Sequence, residues 1–369
     1  MKTDSPFAKL IAQATALTRR GSLGEATQAI QRALHLQRGA ATPPAPATPA
    51  EAARAATDAI VLDGLVREID TPTSPPKTQE TPWHTPPDTA PRPASFEEFP
   101  FATALGLRHY KLFTPAGLSD EPAPLVVMLH GCKQDPDDFA AGTRMNELAQ
   151  AQGFRVLYPA QAPRSNMQRC WNWFQPGDQK RGSGEPALLA AITRHVMQAR
   201  AVDAQRVYVA GLSAGGAMAV ILAHEYPDLF AAAGIHSGLP QGAAHDVATA
   251  FAAMQHGPRS EPTRPNGRRV PFIVFHGDQD GTVHPINGEH LVAGHDTSEV
   301  SHGMPENGRS FVRTTYRDDA DVVVAEHWLV HGSGHAWSGG NAQGSYTDEQ
   351  GPDASREMLR FFNQQRLKD

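Results

Sequence analysis

Cysteine and long apolar runs are both scarce in this chain. Its 369 residues include two cysteines, Cys132 and Cys170, and neither lies in a Cys/His cluster with zinc-ligand spacing, so the sequence does not indicate a zinc site. No segment approaches the roughly 18 consecutive apolar residues of a transmembrane helix. We therefore expect no membrane span. The sequence leaves open whether the two cysteines are bonded to each other.

Positive charge is also in short supply. Lysine and arginine total 33 against 39 aspartates and glutamates, which gives a net charge of −6 and a pI near 6.3. Because no long basic run is present, a nucleic-acid partner is not indicated. The first residues, Met1 to Pro6, precede no long apolar core and do not resemble a secretory signal. On this ground we expect a cytoplasmic location.

A Gly-x-Ser-x-Gly motif follows an apolar segment. Residues 207–210 predict a buried strand, residues 217–226 predict a helix, and Ser213 lies between them, flanked by Gly211 and Gly215. A strand, a sharp turn and a helix lift a serine hydroxyl clear of a sheet edge, and glycines suit a turn in which Cβ atoms would collide. We expect Ser213 to be a nucleophile. The alternative is a glycine-rich loop with a solvated serine.

A nucleophilic serine needs a base, and the base needs an acid that orients it. After such a motif the chain order is serine, then Asp or Glu, then histidine. The strand predicted at 271–275 leads to Asp278 and Asp280. We favour Asp280, which lies further along the loop, and expect Asp278 to hold the turn. Both could also be simple turn formers.

Two histidines compete for the role of base. The strand predicted at 321–330 is followed by His331 and then, among glycines, by His335. We favour His335, because a glycine-rich loop can lie close to the serine, and expect His331 to be a structural hydrogen-bonding residue. The chain has 17 histidines, so it is the order Ser213, Asp280, His335 that gives this assignment its weight.

Backbone N–H groups are the expected binding site for the negative charge that develops during attack on a carbonyl. The strand predicted at 125–129 ends in His130 and Gly131. The loop after such a strand offers one N–H, and the residue after the nucleophile offers the other. This predicts an oxyanion hole formed by Cys132 and Ala214.

The first 95 residues differ in composition from the rest. Residues 1–37 predict a small helical hairpin, and residues 38–95, rich in proline and alanine, predict a largely disordered linker. Twelve of the 31 prolines fall between Pro43 and Pro93. The hairpin, residues 6–37, could dock a protein partner or a polymer granule, or it could be a small appendage of the main domain.

Residues 96–369 predict one catalytic domain. Strands alternate with helices, which indicates an α/β fold with a mostly parallel sheet and helices on both faces. A helix is expected at 143–152 and another at 354–367. The segment 239–269 is a long insertion between strands, and a lid or a substrate wall is the expected role, since loops of that length are usually functional or mobile.

Several motifs together resemble the polyhydroxybutyrate (PHB) depolymerase family of esterases, over roughly residues 105–340. The motifs are Leu129-His130-Gly131-Cys132-Lys133-Gln134, Cys170-Trp171-Asn172-Trp173-Phe174, Gly211-Leu212-Ser213-Ala214-Gly215-Gly216, His236-Ser237-Gly238-Leu239-Pro240, His276-Gly277-Asp278-Gln279-Asp280 and Gly334-His335-Ala336-Trp337-Ser338-Gly339-Gly340.

The resemblance implies an α/β-hydrolase fold, a triad of Ser213, Asp280 and His335, and ester substrates without a cofactor or a metal. It implies a serine esterase that acts on polyhydroxyalkanoates, other polyesters or their oligomers through an acyl-enzyme. A feruloyl or acetylxylan esterase is the alternative. Because many members are secreted, an extracellular location is the alternative to a cytoplasmic one. A peptidase and a non-catalytic, hydrolase-like binding protein are the remaining hypotheses.

Four further side chains are candidates for substrate binding: Trp171, Trp173, Trp337 and Gln134. An indole offers a large apolar surface with a polar handle, so the tryptophans could line an acyl pocket. They could equally be core residues beneath the loops. Gln134 could steady the oxyanion loop or be exposed.

Overall fold

The computed structural model of the chain describes residues 92–103, 106–259, 268–294, 297–306 and 308–367. The hairpin predicted at 1–37 and most of the linker predicted at 38–95 lie outside these residues. The described residues form twelve strands: β1 (Ser95–Thr103), β2 (Gly106–Thr114), β3 (Ala123–Leu129), β4 (Arg155–Ala160), β5 (Val202–Leu212), β6 (Ala232–His236), β7 (Phe272–Gly277), β8 (Thr297–Gly303), β9 (Phe311–Arg317), β10 (Val323–Val330), β11 (Trp337–Ser338) and β12 (Thr347–Asp348).

Helices separate most of the strands. The helices of the described residues are α1 (Pro136–Thr143), α2 (Met145–Gln152), α3 (Gly184–Ala199), α4 (Ala214–Glu225), α5 (Val247–His256), α6 (Ile286–Val292) and α7 (Ala354–Phe362), with a 3₁₀ turn at Pro176–Asp178.

Ten strands form one sheet in the order β1-β2-β4-β3-β5-β6-β7-β10-β9-β8. The six central strands, from β4 to β10, are parallel to one another, and antiparallel strands complete both edges. The strands β11 and β12 pair separately. A largely parallel central sheet flanked by helices confirms the predicted fold class.

The central strands are buried on both faces, and β3 shows how the sequence achieves this. Leu125, Val127 and Leu129 pack into an apolar cluster with α3 and α4, whereas Val126 and Met128 pack into a second cluster with α1, α2 and α7. Because side chains alternate between the faces of a strand, a continuous apolar run supplies both clusters. The sheet therefore separates two cores, each covered by helices.

Three predicted segments differ in detail. The helix expected at 143–152 begins at Met145, because Arg144 takes a left-handed backbone conformation (φ 54°) that separates α1 from α2. The insertion at 239–269 contains the helix α5, which begins with a capping box at Asp246. The last helix ends at Phe362. Within the described residues, no helix has the length and apolar character needed to cross a membrane.

Candidate active site

The predicted site residues follow neighbouring parallel strands at one edge of the sheet. Ser213 follows β5, Asp280 follows β7 and His335 follows β10, while Cys132 follows β3. The carboxyl ends of parallel strands meet at the same edge, which is where open α/β sheets bind their ligands. Residues that lie far apart in the sequence are thus brought to one rim.

Ser213 occupies a tight turn between β5 and α4. Its backbone has φ 58° and ψ −119°, a conformation that is costly for a residue with a Cβ. A Cβ on Gly211 would lie 2.4 Å from the carbonyl of Gly215, and a Cβ on Gly215 would lie 2.0 Å from the oxygen of Leu129. Only glycine permits these approaches, so the motif folds as the strand–turn–helix element that the sequence predicted.

His335 and Asp280 form a buried pair. The Nδ1 of His335 lies 2.7 Å from Oδ2 of Asp280, and the Asp280 side chain is fully buried. The other oxygen, Oδ1, accepts hydrogen bonds from the N–H groups of Thr282 and Val283, both at 2.9 Å. A carboxylate only accepts, so Nδ1 of His335 carries the proton and Nε2 is left as the basic nitrogen.

Several interactions act on the pKa of Asp280. Burial by itself raises the pKa of this carboxyl, but the hydrogen bonds and charges of His276 and His335 outweigh burial and hold it well below its usual value. Asp280 is therefore ionised at neutral pH, as an acid that orients a histidine must be.

The two rival residues, Asp278 and His331, bind each other. His331 Nδ1 lies 2.9 Å from Oδ2 of Asp278, and Oδ1 accepts the N–H of Gly332 at 2.7 Å. Both side chains are partly exposed. Asp278 thus joins the ends of β7 and β10 at the surface, while the buried pair lies with Asp280.

His236, at the end of β6, ties the Ser213 turn to the loop that carries His335. Its carbonyl accepts the N–H of Ser213 at 2.9 Å, and its Nε2 accepts the N–H of Ser338 at 3.0 Å. The ring stacks on Trp337, with 5.2 Å between centroids. Burial lowers the pKa of His236 to about 3, so the ring stays neutral and Nε2 stays an acceptor. Direct contact between the Ser213 hydroxyl and the His335 imidazole remains a prediction.

Two backbone N–H groups are the expected donors to the oxyanion. Ala214 opens α4, and the first N–H groups of a helix have no acceptor within it. On the β3 side, the N–H of Gly131 donates to Gln134 Oε1 at 2.9 Å, and that of Lys133 donates to the Gln168 carbonyl at 2.7 Å. Cys132 lies between these anchored peptides. The assignment of Cys132 and Ala214 as oxyanion donors remains a prediction.

A disulfide joins Cys132 to Cys170, which answers the question that the sequence left open. It links the oxyanion loop to the segment that carries Trp171 and Trp173. The oxyanion loop is also held by Gln134, whose Nε2 donates to Oδ2 of Asp138 at 2.7 Å.

The four candidate substrate-binding residues are engaged with the protein. Trp171 and Trp337 are fully buried and Trp173 is 6% exposed. Trp171 Nε1 donates to the His130 carbonyl at 3.1 Å, and Trp337 Nε1 donates to Ser355 Oγ at 3.0 Å. Gln134 is 2% exposed. In this structure the four side chains support the loops of the site, and substrate contact by them remains a prediction.

A buried carboxylate beneath the Trp171 segment escaped sequence reasoning. Glu185, at the start of α3, accepts the Asn172 N–H at 2.7 Å and the Asn172 amide at 2.9 Å, and it contacts Gln161 and Arg108. Burial raises its pKa to about 7, although the hydrogen bonds from Gln161 and Asn172 oppose this shift. The available signal was Asn172 in the Cys-Trp-Asn-Trp motif, whose side-chain amide is bound by Glu185.

The sheet, the serine turn and the buried aspartate–histidine pair define the α/β-hydrolase fold with the features of a serine hydrolase. Comparison with known proteins gives the family. The family model described as Esterase PHB depolymerase matches residues 108–296, about half of the chain, and the chain belongs to this family. It is a carboxylic ester hydrolase.

Two relatives and one solved structure are similar to this chain. Poly(3-hydroxyalkanoate) depolymerase C of Paucimonas lemoignei is 31% identical over 60% of this chain, and the alignment spans 56% of that depolymerase. Feruloyl esterase B of Neurospora crassa is 28% identical over 68% of this chain and 86% of its own length. An acetyl xylan esterase from Aspergillus awamori shares the fold, with a TM-score of 0.55, 19% identity and coverage of 73% of this chain and 99% of that one.

Proposed function

We propose that Ser213 attacks the carbonyl carbon of a carboxylic ester. His335 Nε2 takes the hydroxyl proton, Asp280 holds the imidazole in the required tautomer, and the N–H groups of Cys132 and Ala214 receive the oxyanion. The intermediate collapses when the C–O bond to the alcohol breaks and His335 returns its proton to the leaving oxygen. The observation that carries this proposal is the 2.7 Å contact between His335 Nδ1 and Asp280 Oδ2.

The second half of the cycle releases the acid. Water replaces the alcohol, His335 takes one of its protons, and the resulting hydroxide adds to the acyl carbon on Ser213. The same N–H groups hold the oxyanion, and the serine leaves as His335 protonates it. Glu185 has no role in these steps, because its carboxylate is bound to the backbone and the side chain of Asn172.

As substrates we propose oligoesters of 3-hydroxyalkanoates, or the corresponding polyester. The 31% identity with a poly(3-hydroxyalkanoate) depolymerase supports this class. The alternative substrates are feruloyl and acetyl esters of plant polysaccharides, which the similarity to a feruloyl esterase over 86% of its length supports.

The test is a panel of esters offered to the purified full chain: 3-hydroxybutyrate dimer and trimer, acetylated xylan oligomers, and a feruloylated sugar. We expect the highest kcat/KM on the hydroxybutyrate trimer, with Ser213→Ala reducing turnover of every ester by a factor on the order of 10⁴ to 10⁶. Preference for the feruloylated sugar or the xylan oligomers would select the alternative substrates. Undiminished turnover by Ser213→Ala would reject the nucleophile.

We further propose that the segment 6–37 docks the enzyme on a polymer granule or a protein, supported by the apolar stripe that includes Leu10. In the full chain, Leu10→Glu should reduce co-sedimentation with polyhydroxybutyrate granules. Ala12→Glu adds the same charge on the other side of the predicted helix and should not. Equal sedimentation of both variants would count against docking through this segment.

For location, the disulfide between Cys132 and Cys170 supports the extracellular alternative, because cytosolic thiols are usually reduced. The measurement is the amount of the enzyme in the culture medium relative to the cell extract of its native host. Its presence only in the cell extract would support a cytoplasmic location.

A further inference from the structure

A second imidazole contacts the carboxylate of Asp280. His276, at the end of β7, places its Nε2 3.5 Å from Oδ2 of Asp280, the same oxygen that binds His335 Nδ1 at 2.7 Å. The side chains of His276 and Asp280 are both fully buried. The proposed reaction gives His276 no role, although its ring contacts the proposed acid.

His276 also closes the loop that carries Asp280. Its Nε2 lies 2.8 Å from the carbonyl oxygen of Val283. The N–H of Val283 donates to Oδ1 of Asp280 at 2.9 Å. Val283, the residue beyond the turn, thus binds His276 through its carbonyl oxygen and the Asp280 carboxylate through its N–H. These contacts join the two ends of the turn around the acid.

The tautomer of the His276 ring follows from its partners. A carbonyl oxygen and an ionised carboxylate can only accept hydrogen bonds, so Nε2 of His276 carries a proton. The partial positive charge of this N–H lies near Oδ2 of Asp280, the oxygen that also binds His335. The ring therefore shares that charge as well as holding the loop.

Gly288 in α6 lies against the opposite side of the same ring. A Cβ at this position would be 2.9 Å from Nδ1 of His276 and 3.0 Å from Nε2 of His327, distances at which one of the groups must move. The helix approaches the two rings this closely because residue 288 has no side chain. The position of His276 thus depends on a glycine that lies outside the proposed catalytic groups.

Few titratable groups surround the carboxylate. His335 faces it from the loop after β10, His276 from β7, and His236 acts on it electrostatically from β6, while His327 on β10 acts on His276. Burial lowers the pKa of His236 to about 3 and that of His327 to about 4. Above pH 5 these two rings are neutral and do not compete for the charge of Asp280.

We propose that His276 is a positioning residue for the esterase reaction, which fixes the Asp280 loop and shares the charge of the carboxylate through its Nε2–H. This rests on the proposed role of Asp280. Without the second donor, more of the carboxylate charge acts on His335 and favours its protonated form. His335 is then protonated, and cannot act as a base, at a pH where the wild type is active.

The experiment compares His276→Leu with His276→Gln in the full chain, because the glutamine amide can place a donor near the position of Nε2. His276→Leu should lower kcat about tenfold, the effect of losing roughly one hydrogen bond to a charged group, with KM little changed. When kcat/KM is plotted against pH, the rise on the acid side (the acid limb) should move to higher pH by about half a unit to one unit. His276→Gln should keep the limb of the wild type and most of kcat.

Gly288→Ala provides a second test in which His276 is retained. A methyl group there displaces the ring from its place against Val283 and Asp280, so we expect the acid limb to shift by less than in His276→Leu. The matched control is Gly281→Ala in the Asp280 loop, where a Cβ would have no neighbour within 4 Å. This control should give the profile of the wild type.

Three outcomes would overturn the inference: wild-type kcat in His276→Leu, equal losses with an unmoved acid limb in the Leu and Gln variants, or an unmoved limb in a folded Gly288→Ala. Asp280→Asn is measured in parallel. If that variant stays active, the proposed role of Asp280 fails and the inference falls with it. If it loses activity while the His276 and Gly288 variants behave as the wild type, only the inference fails.

Discussion

His331 Nδ1 lies 2.9 Å from Oδ2 of Asp278, so the two residues that could have competed with the proposed catalytic pair bind each other. Burial raises the pKa of Asp278, but hydrogen bonds from His331 and the Gly332 N–H outweigh it and lower that pKa. Asp278 and Asp280 thus each bind a histidine, and the first of these pairs is partly exposed while the second is buried.

This arrangement predicts different effects for two equivalent substitutions. Asp280→Asn should lower kcat by a factor on the order of 10³ to 10⁴, because the amide favours the wrong tautomer of His335. Asp278→Asn should lower it less than about threefold, since that side chain only joins two surface turns. The measurement is kcat on a short p-nitrophenyl ester for both variants. The reverse order of effects would assign the acid to Asp278.

The disulfide between Cys132 and Cys170 should contribute to both stability and turnover. Closing a loop with a sequence separation of 38 residues is worth about 4 kcal/mol in the chain-entropy model. The double variant Cys132→Ala/Cys170→Ala should lose free energy of unfolding on that order. Its kcat should fall about tenfold, because an oxyanion donor is worth several kcal/mol only while it is held in place.

Urea unfolding and ester turnover measure the two effects of the disulfide. Dithiothreitol should lower the activity of the wild type and leave the double variant unchanged, which separates reduction of this bond from other effects of the reagent. Unaltered activity and stability in the double variant would show that the bond does not support the oxyanion loop.

Three buried histidines predict a loss of stability in mild acid. Burial lowers the pKa of His130, His236 and His327 to between about 3 and 4. In the unfolded chain each ring titrates near its ordinary value. The stabilisation is therefore complete above about pH 6.5 and is lost as the pH falls toward 4. Between pH 7 and pH 5 each ring should remove about 2 kcal/mol from the free energy of unfolding.

Urea titrations at the two pH values check this prediction. Between pH 7 and pH 5, the free energy of unfolding of His327→Leu should fall by about 2 kcal/mol less than that of the wild type. His245→Gln, at an exposed position, should leave the difference unchanged. A free energy of unfolding in His327→Leu that depends on pH as in the wild type would contradict the account.

Glu185 should make the protein more stable, not less, as the pH falls. Burial raises its pKa to about 7, from a reference value of 4.5, so the folded state binds a proton more readily than the unfolded chain. The stability from this group is complete below about pH 4.5 and is lost as the pH rises through 7. Between pH 7 and pH 5 it should add about 2 kcal/mol, which offsets part of the histidine effect.

Removing this titration should make the protein more sensitive to acid. Between pH 7 and pH 5, the free energy of unfolding of Glu185→Gln should fall by about 2 kcal/mol more than that of the wild type, whatever the stability of the variant at pH 7. Glu147→Gln, at an exposed ion pair with Arg144, serves as the control. A smaller loss in Glu185→Gln than in the wild type would mean that the carboxylate is stabilised in the fold.

The central strands were predictable because burial on both faces demands a continuous apolar run, and β3 and β7 show it plainly. The edge strand β8 (Thr297–Gly303) was missed. Its residues Ser298, Glu299 and His302 are polar, and among the described strands it pairs with β9 alone. A strand that buries little apolar surface leaves little periodicity to read.

The order of the candidate site residues along the strands was predictable, and the contacts that support these residues were not. Ser213, Asp280 and His335 follow strands, and glycines mark the serine turn. The contacts of His236 and His276 depend on which strands are neighbours, which no local pattern states. His236 is the last residue of β6 and His276 is the last but one of β7. Once the strand order is known, these positions place both histidines at the same rim of the sheet.

The most direct test of the account is to identify the residue that becomes covalently labelled when a fluorophosphonate inactivates the enzyme. We predict one adduct per chain on the peptide that contains Ser213, with loss of esterase activity in proportion to labelling, and much slower labelling in His335→Ala. Full inactivation with the adduct on another residue would contradict the claim that Ser213 is the nucleophile of this esterase. Continued turnover by enzyme that is fully labelled at Ser213 would contradict it as well.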